Sequence, residues 1–365
     1  MRKRIISVVG ARPNFMKIAP IDRAFAEYPG LFEHLIVHTG QHYDEKMSDS
    51  FFRELEMPQP ARFLGIGSGS HGEQTGKIII EFEKICNELK PDLVLVAGDV
   101  NSTVAAALAA VKCGIKTGHI EGGLRSFDRT MPEEINRIAT DAICDWCFVT
   151  EESGLENLRK ENFPEQNIFF VGNTMIDSLF NAMEKAKKSK ILKELELEPK
   201  NYVAVTMHRP SNVDQPERLG MILDVFDYLS ANRKIVFPVH PRTRKNFELF
   251  SLGSRIQKNP NIILIDALAY TDFLSLVNNC DFVLTDSGGI QEETTALGIS
   301  CLTLRTTTER PITCRLGTNI LINPEKEFII NAIDDLLRKP RKVGSIPPLW
   351  DGKAAQRIVE IIKNL

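Results

Sequence analysis

Short, almost wholly apolar runs recur along the chain and alternate with stretches whose apolar residues return every three or four positions. The runs fall at residues 4–9, 34–39, 93–97, 116–120 and 146–150, and then at 168–171, 202–206, 234–239, 262–265, 282–285 and 301–304. Runs apolar on both faces suit central strands of a parallel sheet covered by helices on each side. Residues 103–111 and 222–229 are clear examples of the helical pattern between them. This alternation predicts an α/β fold of two Rossmann-like doubly wound domains with right-handed crossovers. A length of 365 residues also exceeds what one ordinary core organises. The predicted boundary lies between residues 171 and 202, where a helical stretch (175–188) runs into the Lys/Glu-rich segment 190–200. The domains are therefore set at residues 1–172 and 173–350. The amphipathic stretch 351–365, with Ala354, Ile358, Ile361 and Ile362 on one side, is predicted to pack back on the first domain.

Charge and composition narrow the function. A formal net charge of −3 excludes the basic stripe of a nucleic-acid binder, so residues that hold an anion must be few and local. The basic start, Arg2-Lys3-Arg4, precedes an apolar run too short for a leader, and no stretch approaches the roughly 20 apolar residues of a membrane span. A cytoplasmic protein with no membrane partner is expected. Seven scattered cysteines are the usage of a reducing compartment. Cys144 and Cys147 spell a CxxC, but no second pair or spaced histidines complete a metal site, and the expectation is two buried thiols beside a strand.

In open α/β sheets ligands bind beyond the carboxyl ends of the strands, so the residues just past each strand matter most. After the first comes Gly10-Ala11-Arg12-Pro13-Asn14-Phe15-Met16-Lys17, neither a dinucleotide fingerprint nor a P-loop, which offers Arg12 and Lys17 to an anion at a helix start. Asp99 comes after the strand 93–97, where a helix-capping role is the plainer reading. Glu121 comes after 116–120 in Glu121-Gly122-Gly123, and Glu133 and Arg137, one helical turn apart, are positioned to pair. His208 comes after 202–206 and reads as a phosphate contact, an acid/base group or a packed histidine. The densest signal is Asp286-Ser287-Gly288-Gly289-Ile290-Gln291-Glu292-Glu293, a strand passing through Ser-Gly-Gly straight into a helix. There the backbone N–H groups and the Ser287 hydroxyl suit a phosphate, and Glu293 is spaced to accept from ribose hydroxyls. Arg310, after the strand 301–304, adds a cation near the same anion. The Gly-x-Ser-x-Gly nucleophile pattern is absent from this segment.

Together, residues 10–20, 98–103, 119–125, 132–137, 208–209, 285–293 and 307–311 closely resemble the non-hydrolysing UDP-N-acetylglucosamine 2-epimerase family over essentially the whole chain. The resemblance implies a glycosyltransferase-B-type fold, with two Rossmann-like domains facing a deep cleft, and a homodimer. It implies interconversion of UDP-GlcNAc and UDP-ManNAc for cell-surface polysaccharide precursors, with no redox cofactor and no metal. Asp99, Glu121, Glu133 and His208 match the family's catalytic positions. Arg12, Lys17, Ser287, Gly288, Gly289, Glu293 and Arg310 match residues that hold UDP; Phe273 matches a position at the uracil and Leu268 a strand-end backbone contact. Gln41 and His42 match positions that bind a second UDP-GlcNAc as activator in bacterial members. The sequence departs from the family at Asn14-Phe15, at Pro210-Ser211-Asn212, at Ile312 and at residues 66–71, which leaves the sugar's substituents and the activator site open.

C2 of an amino sugar is not next to a carbonyl, so its hydrogen is not acidic enough for direct exchange. The resemblance implies loss of UDP from C1 with removal of the C2 proton, a glycal-like intermediate, and return of the proton from the opposite face, with the domains closing around the ligand. Asp99 is the expected base, supported by Glu121 and Glu133. A 2-epimerase of a UDP-diacetamido-glucuronate or UDP-N-acetyl-fucosamine type is the nearest alternative, followed by a hydrolysing epimerase and a glycosyltransferase-B-type transferase.

Overall fold

The computed structural model describes residues 2–40 and 52–365. The chain forms two compact units, Met1–Asn181 with Pro348–Leu365, and Ala182–Pro347. The seam falls inside the helix Thr174–Ala186 rather than ahead of it. The front of that helix belongs to the first unit because Ser178 Oγ donates to the Met16 carbonyl at 2.5 Å, and Asp177 accepts from the backbone N–H groups of Ala354 and Ala355 at 3.1 and 2.7 Å.

In the first unit, β1 (Lys3–Val9), β2 (Phe32–His38), β3 (Arg62–Phe63), β4 (Leu93–Ala97), β5 (Lys116–Ile120), β6 (Trp146–Val149) and β7 (Ile168–Phe170) form a sheet in the order β3-β2-β1-β4-β5-β6-β7. Every pairing is parallel. Val94, Leu95 and Val96 are fully buried, which explains why β4 reads as an unbroken apolar run rather than an alternating one. Each such side chain contributes about 1.5–3 kcal/mol by leaving water. The C-terminal helix Ala354–Asn364 packs on the helix Arg12–Ala26 of the same unit, where Tyr28 hydrogen-bonds Glu360 and the Lys363 ammonium lies 4.8 Å from the Tyr28 ring centre.

In the second unit, β8 (Tyr202–Thr206), β9 (Lys234–Pro238), β10 (Ile262–Ile265), β11 (Phe282–Thr285), β12 (Cys301–Leu304) and β13 (Asn319–Ile322) run in the order β10-β9-β8-β11-β12-β13, again all parallel. Two strands were not expected from the sequence. β3 is only two residues long, and β13 is an edge strand of sequence Asn-Ile-Leu-Ile, with Ile320 exposed and Leu321 half-buried.

Both sheets have Rossmann order, with the winding direction reversing between β1 and β4 in the first and between β8 and β11 in the second. Loops leaving neighbouring strands at such a point diverge to opposite faces and leave a crevice at the carboxyl edge. The turns bearing Arg12, Asp99, His208 and Ser287, which leave β1, β4, β8 and β11, all lie at these two edges. Among the described residues no helix is long and apolar enough to cross a membrane.

Candidate active site

At the carboxyl edge of the first sheet, Asn14 Oδ1 accepts from the Gly10 and Ala11 amides at 3.1 Å each, and its Nδ2 donates to the Ala97 carbonyl at 2.7 Å. The departure at Asn14 thus serves the unit itself, tying the turn after β1 to the end of β4. Arg12 opens the helix Arg12–Ala26; its side chain lies outside the described residues, as do Gln41 and His42. Lys17, one turn on, meets Glu121 in an ion pair whose side chains are each only 5% exposed. In this arrangement Lys17 serves a carboxylate rather than facing outward to an anion. Gly98 is required beneath the pair: its φ is +67°, and a Cβ there would sit 2.6 Å from Lys17 Nζ.

Asp99, beyond β4, takes a forked contact from Arg137, with its Oδ2 3.1 Å from Nε and 2.8 Å from Nη2. The expected partner of Arg137 was Glu133. The structure corrects this: Arg137 Nη1 lies 2.6 Å from Glu134 Oε2, three residues back on the same helix face. Glu134 is buried and already held by the Ser126 amide (2.9 Å), the Ser126 hydroxyl (3.0 Å) and the Phe127 amide (2.9 Å), so it pins the loop ahead of the helix Pro132–Ile143. Glu133, beside it in the first turn of that helix, is half-buried. The three sequence-selected carboxylates therefore differ in setting: Glu121 paired with Lys17, Asp99 clamped by Arg137, and Glu133 on the first turn of a helix.

In the second unit, His208 and the start of the next segment are organised by Asp286. This wholly buried carboxylate accepts from the His208 amide (3.2 Å to each oxygen), the Arg209 amide (3.0 Å) and Asn212 Nδ2 (3.1 Å), and lies 3.3 Å from His208 Nδ1. The His208 side chain is 40% exposed, and the His240 ring lies 5.9 Å away. Ser287 precedes the helix Gly288–Leu297 in extended conformation, and its hydroxyl makes no capping bond. The first N–H groups of that helix are thus left for another acceptor, which is the geometry of an anion site.

Behind this turn, Arg310 Nε lies 2.7 Å from Glu292 Oε1 and Nη1 lies 2.6 Å from Glu309 Oε1, while Arg305 braces Glu309 at 3.0 Å. Arg310 is buried and its guanidinium is shared between two carboxylates, a brace behind the turn rather than an outward cation. Gly288 is the point of contact: a Cβ there would stand 2.6 Å from Glu309 Oε1 and 3.1 Å from Arg310 Nη1. Glu293 is buried and accepts from the Tyr270 hydroxyl at 3.0 Å. Phe273, on the same helix as Tyr270, joins a cluster with Ile290 against which Leu268 packs. Gly289 and Leu268 are half-buried.

Sequence reasoning did not assign Glu134, Asp141, Tyr270 or Asp286. Asp286 had a signal, a carboxylate beyond an apolar strand inside the Ser-Gly-Gly block. Asp141 and Tyr270 had none, since a polar residue within a helix reads as solvated. Cys144 and Cys147 are buried free thiols, and the described residues hold no group of three or more metal-ligating side chains.

Two Rossmann-ordered units, one with acidic strand ends and the other with a Ser-Gly-Gly turn opening a helix, define a nucleotide-sugar enzyme of glycosyltransferase-B type. Residues 24–363 match the family described as UDP-N-acetylglucosamine 2-epimerase, and the chain belongs to that family, in its non-hydrolysing branch. It is 45% identical over 364 residues to a UDP-N-acetylglucosamine 2-epimerase homolog of Methanococcus maripaludis, covering 99% of this chain and 100% of the relative. It is 37% identical over 368 residues to the UDP-2,3-diacetamido-2,3-dideoxy-D-glucuronate 2-epimerase of Pseudomonas aeruginosa, covering 99% and 100%. The crystal structure of Methanocaldococcus jannaschii UDP-GlcNAc 2-epimerase in complex with UDP-GlcNAc and UDP superposes with a TM-score of 0.91 at 41% identity, covering 99% of this chain and 100% of that one.

Proposed function

We propose that this chain interconverts UDP-GlcNAc and UDP-ManNAc by elimination and re-addition of UDP. The observation that carries this reading is the division of labour between the two sheet edges. One carries Asp99 paired with Arg137 and Glu121 paired with Lys17; the other carries Ser287 and the first amides of the helix Gly288–Leu297, with His208 held by Asp286 next to Ser287 in the chain. Its similarity to a protein crystallised with UDP-GlcNAc and UDP supports the same ligand here.

The chemistry needs acid/base groups and a holder for the departing anion. A carboxylate, assigned to Asp99, removes the proton from C2 as the C1–O bond breaks, and the bond electrons leave with the pyrophosphate of UDP. Ser287, the Gly288 and Gly289 amides and His208 stabilise the departing charge, with Arg12 as a further cation; single preorganised donors of this kind contribute about 3–4 kcal/mol each. Glu133 in its protonated form, or Glu121 reprotonated from its partner Lys17, gives a proton to the opposite face of C2, UDP adds back at C1, and exchange with solvent resets Asp99 and the donor. General acid–base help at each transfer contributes about 10²–10⁴-fold. Glu293 and Tyr270 hold the ribose, with Phe273 and Leu268 at the uracil. Lys17 and Arg137 act through the carboxylates they hold, and Arg310 acts through the turn it braces. Gln41 and His42, outside the described residues, are the candidates for contact with a second, activating UDP-GlcNAc, and the enzyme works as a cytoplasmic homodimer. Its seven free cysteines suit a reducing compartment.

Incubating the purified chain with UDP-GlcNAc in heavy water, without added metal or nicotinamide, tests the reading by proton NMR. Deuterium at C2 of both epimers supports it; epimerisation with C2 hydrogen retained refutes the elimination route. The similarity to a diacetamido-glucuronate epimerase favours a second substrate, a sugar acylated at both C2 and C3, and running UDP-sugars of both kinds side by side decides between them.

A further inference from the structure

Behind the acidic edge of the first sheet lies a buried charged chain that has no task in the elimination and re-addition steps. His119, on β5 two residues before Glu121, is fully enclosed. Its Nδ1 lies 2.6 Å from Asp141 Oδ1 and its Nε2 lies 2.8 Å from the Gly98 carbonyl. A carboxylate and a carbonyl can only accept, so each ring nitrogen of His119 faces an acceptor. Asp141 is saturated with donors: His119 Nδ1, the Gly123 amide at 3.0 Å, Arg125 Nη1 at 2.7 Å and the Cys147 thiol at 3.6 Å. Burial pushes its carboxyl up, but His119 and Arg125 outweigh that and hold it below the ordinary range. Arg125 is in turn gripped by Glu161 through Nε (2.9 Å) and Nη2 (2.6 Å).

Two of the partners of this chain are backbone groups of the turns that carry the proposed acid/base residues. The Gly98 carbonyl opens the peptide that leads into Asp99. The Gly123 amide closes the turn begun by Glu121, whose φ of +74° is left-handed and unfavourable for a side chain of this size. Glu121 is held in that conformation at its own amide by the Phe148 carbonyl (2.9 Å) and two residues later by Asp141. A buried ion pair contributes little net stability compared with apolar packing, so stability alone is a poor account of one placed here.

We infer, resting on the proposed 2-epimerase function, that His119 and Asp141 are a positioning pair that sets Asp99 and Glu121 in register for proton transfer at C2. Neither side chain reaches the ligand; they act through the two turns they join.

The test uses His119→Gln, His119→Ala and Asp141→Asn in the full chain. Gln keeps a donor for the Gly98 carbonyl, whereas Asn turns an NH₂ toward other donors. With UDP-GlcNAc as substrate, kcat is expected to fall on the order of 100-fold in Asp141→Asn and His119→Ala, the loss that a misplacement of about 1 Å produces. KM should stay within about threefold, and His119→Gln should recover part of the loss. Amide hydrogen exchange without substrate should speed up in residues 97–101 and 120–126 alone. A kcat within about threefold of the unsubstituted protein, a loss confined to KM, or unchanged exchange in both turns overturns the inference. Should Asp141→Asn fail to fold, Glu161→Gln, at a 42% exposed side chain, loosens Arg125 from outside. It should show the same kcat-selective loss, about 3–10-fold, and no loss there overturns the proposal equally. If the unsubstituted protein fails to turn over UDP-GlcNAc, the functional reading falls while the exchange measurement still decides the role of the pair.

Discussion

The Lys17–Glu121 pair is the most exacting energetic feature of the first unit. Two side chains, each 5% exposed, place opposite charges against each other inside the carboxyl edge of the sheet. Lys17→Met removes one charge and strands the other where water cannot reach it, and breaking such a pair costs about 3–5 kcal/mol. Glu121→Gln strands the ammonium and should cost a similar amount. The double variant has no buried charge left and should recover most of the loss, because exchanging a whole buried pair for neutral groups is close to neutral. The coupling between the two substitutions should therefore exceed about 2 kcal/mol. Both tryptophans of the chain, Trp146 and Trp350, belong to the first unit, so tryptophan fluorescence in urea reports on that unit selectively. For a unit of this size each kcal/mol moves the midpoint of thermal unfolding by about 2–4 °C, which puts Lys17→Met roughly 6–20 °C below the unsubstituted chain. A single-variant cost under about 1 kcal/mol, or single effects that merely add in the double variant, refutes the reasoning. Either outcome means that the charges are hydrated or not in contact.

Buried groups elsewhere give two further expected outcomes. Burial pushes the Asp177 carboxyl up to about 6, against the Ala355 and Ala354 amides that favour its charge. Below the ordinary carboxyl range its contribution is therefore fully present. As pH rises toward 6 the unfolded chain releases its proton first, and stability falls by on the order of 3 kcal/mol. Urea titrations at pH 4.5 and 6.5 should show about 2 kcal/mol of that fall in the unsubstituted protein and its absence in Asp177→Asn; parallel profiles would falsify the assignment. Gly288→Ala would set a methyl 2.6 Å from Glu309 Oε1, whose Arg305 and Arg310 partners leave it little room to move. UDP affinity by calorimetry should drop about tenfold or more, with the far-ultraviolet circular dichroism unchanged. A Kd within twofold would mean that the turn is not the anion site.

The elements carrying the chemistry were legible because each depends on local pattern. β4 and β11 are unbroken apolar runs, and the residues just past such a run in a parallel sheet must emerge at its carboxyl edge. Asp99, Glu121 and His208 were thus found at their strand ends, and Ser287–Gly289 at a helix start, without knowledge of the packing. β3 escaped because two residues make no run, and β13 because its apolar stretch, Ile320–Ile322, is shorter than the roughly four to eight residues that mark a strand. The choice of Glu134 over Glu133 by Arg137 escaped for another reason. Positions three and four residues away lie on the same helix face, and only the loop amides of Ser126 and Phe127 decide which carboxylate is drawn inward.

The amino-acid order by itself determined the alternation of strand and helix, the two-unit plan and the residues at the strand ends, because these arise from periodicities of two to four residues that the local backbone imposes. Partnership was decided only by the tertiary structure. Lys17 turned from anion ligand to counter-charge of Glu121, Arg310 became a brace between Glu292 and Glu309, and Asp141 joined two turns from within a helix. A charged side chain carries no sign of its partner in its neighbours along the chain. Burial makes pairing obligatory, and which opposite charge lies within reach depends on how distant segments pack.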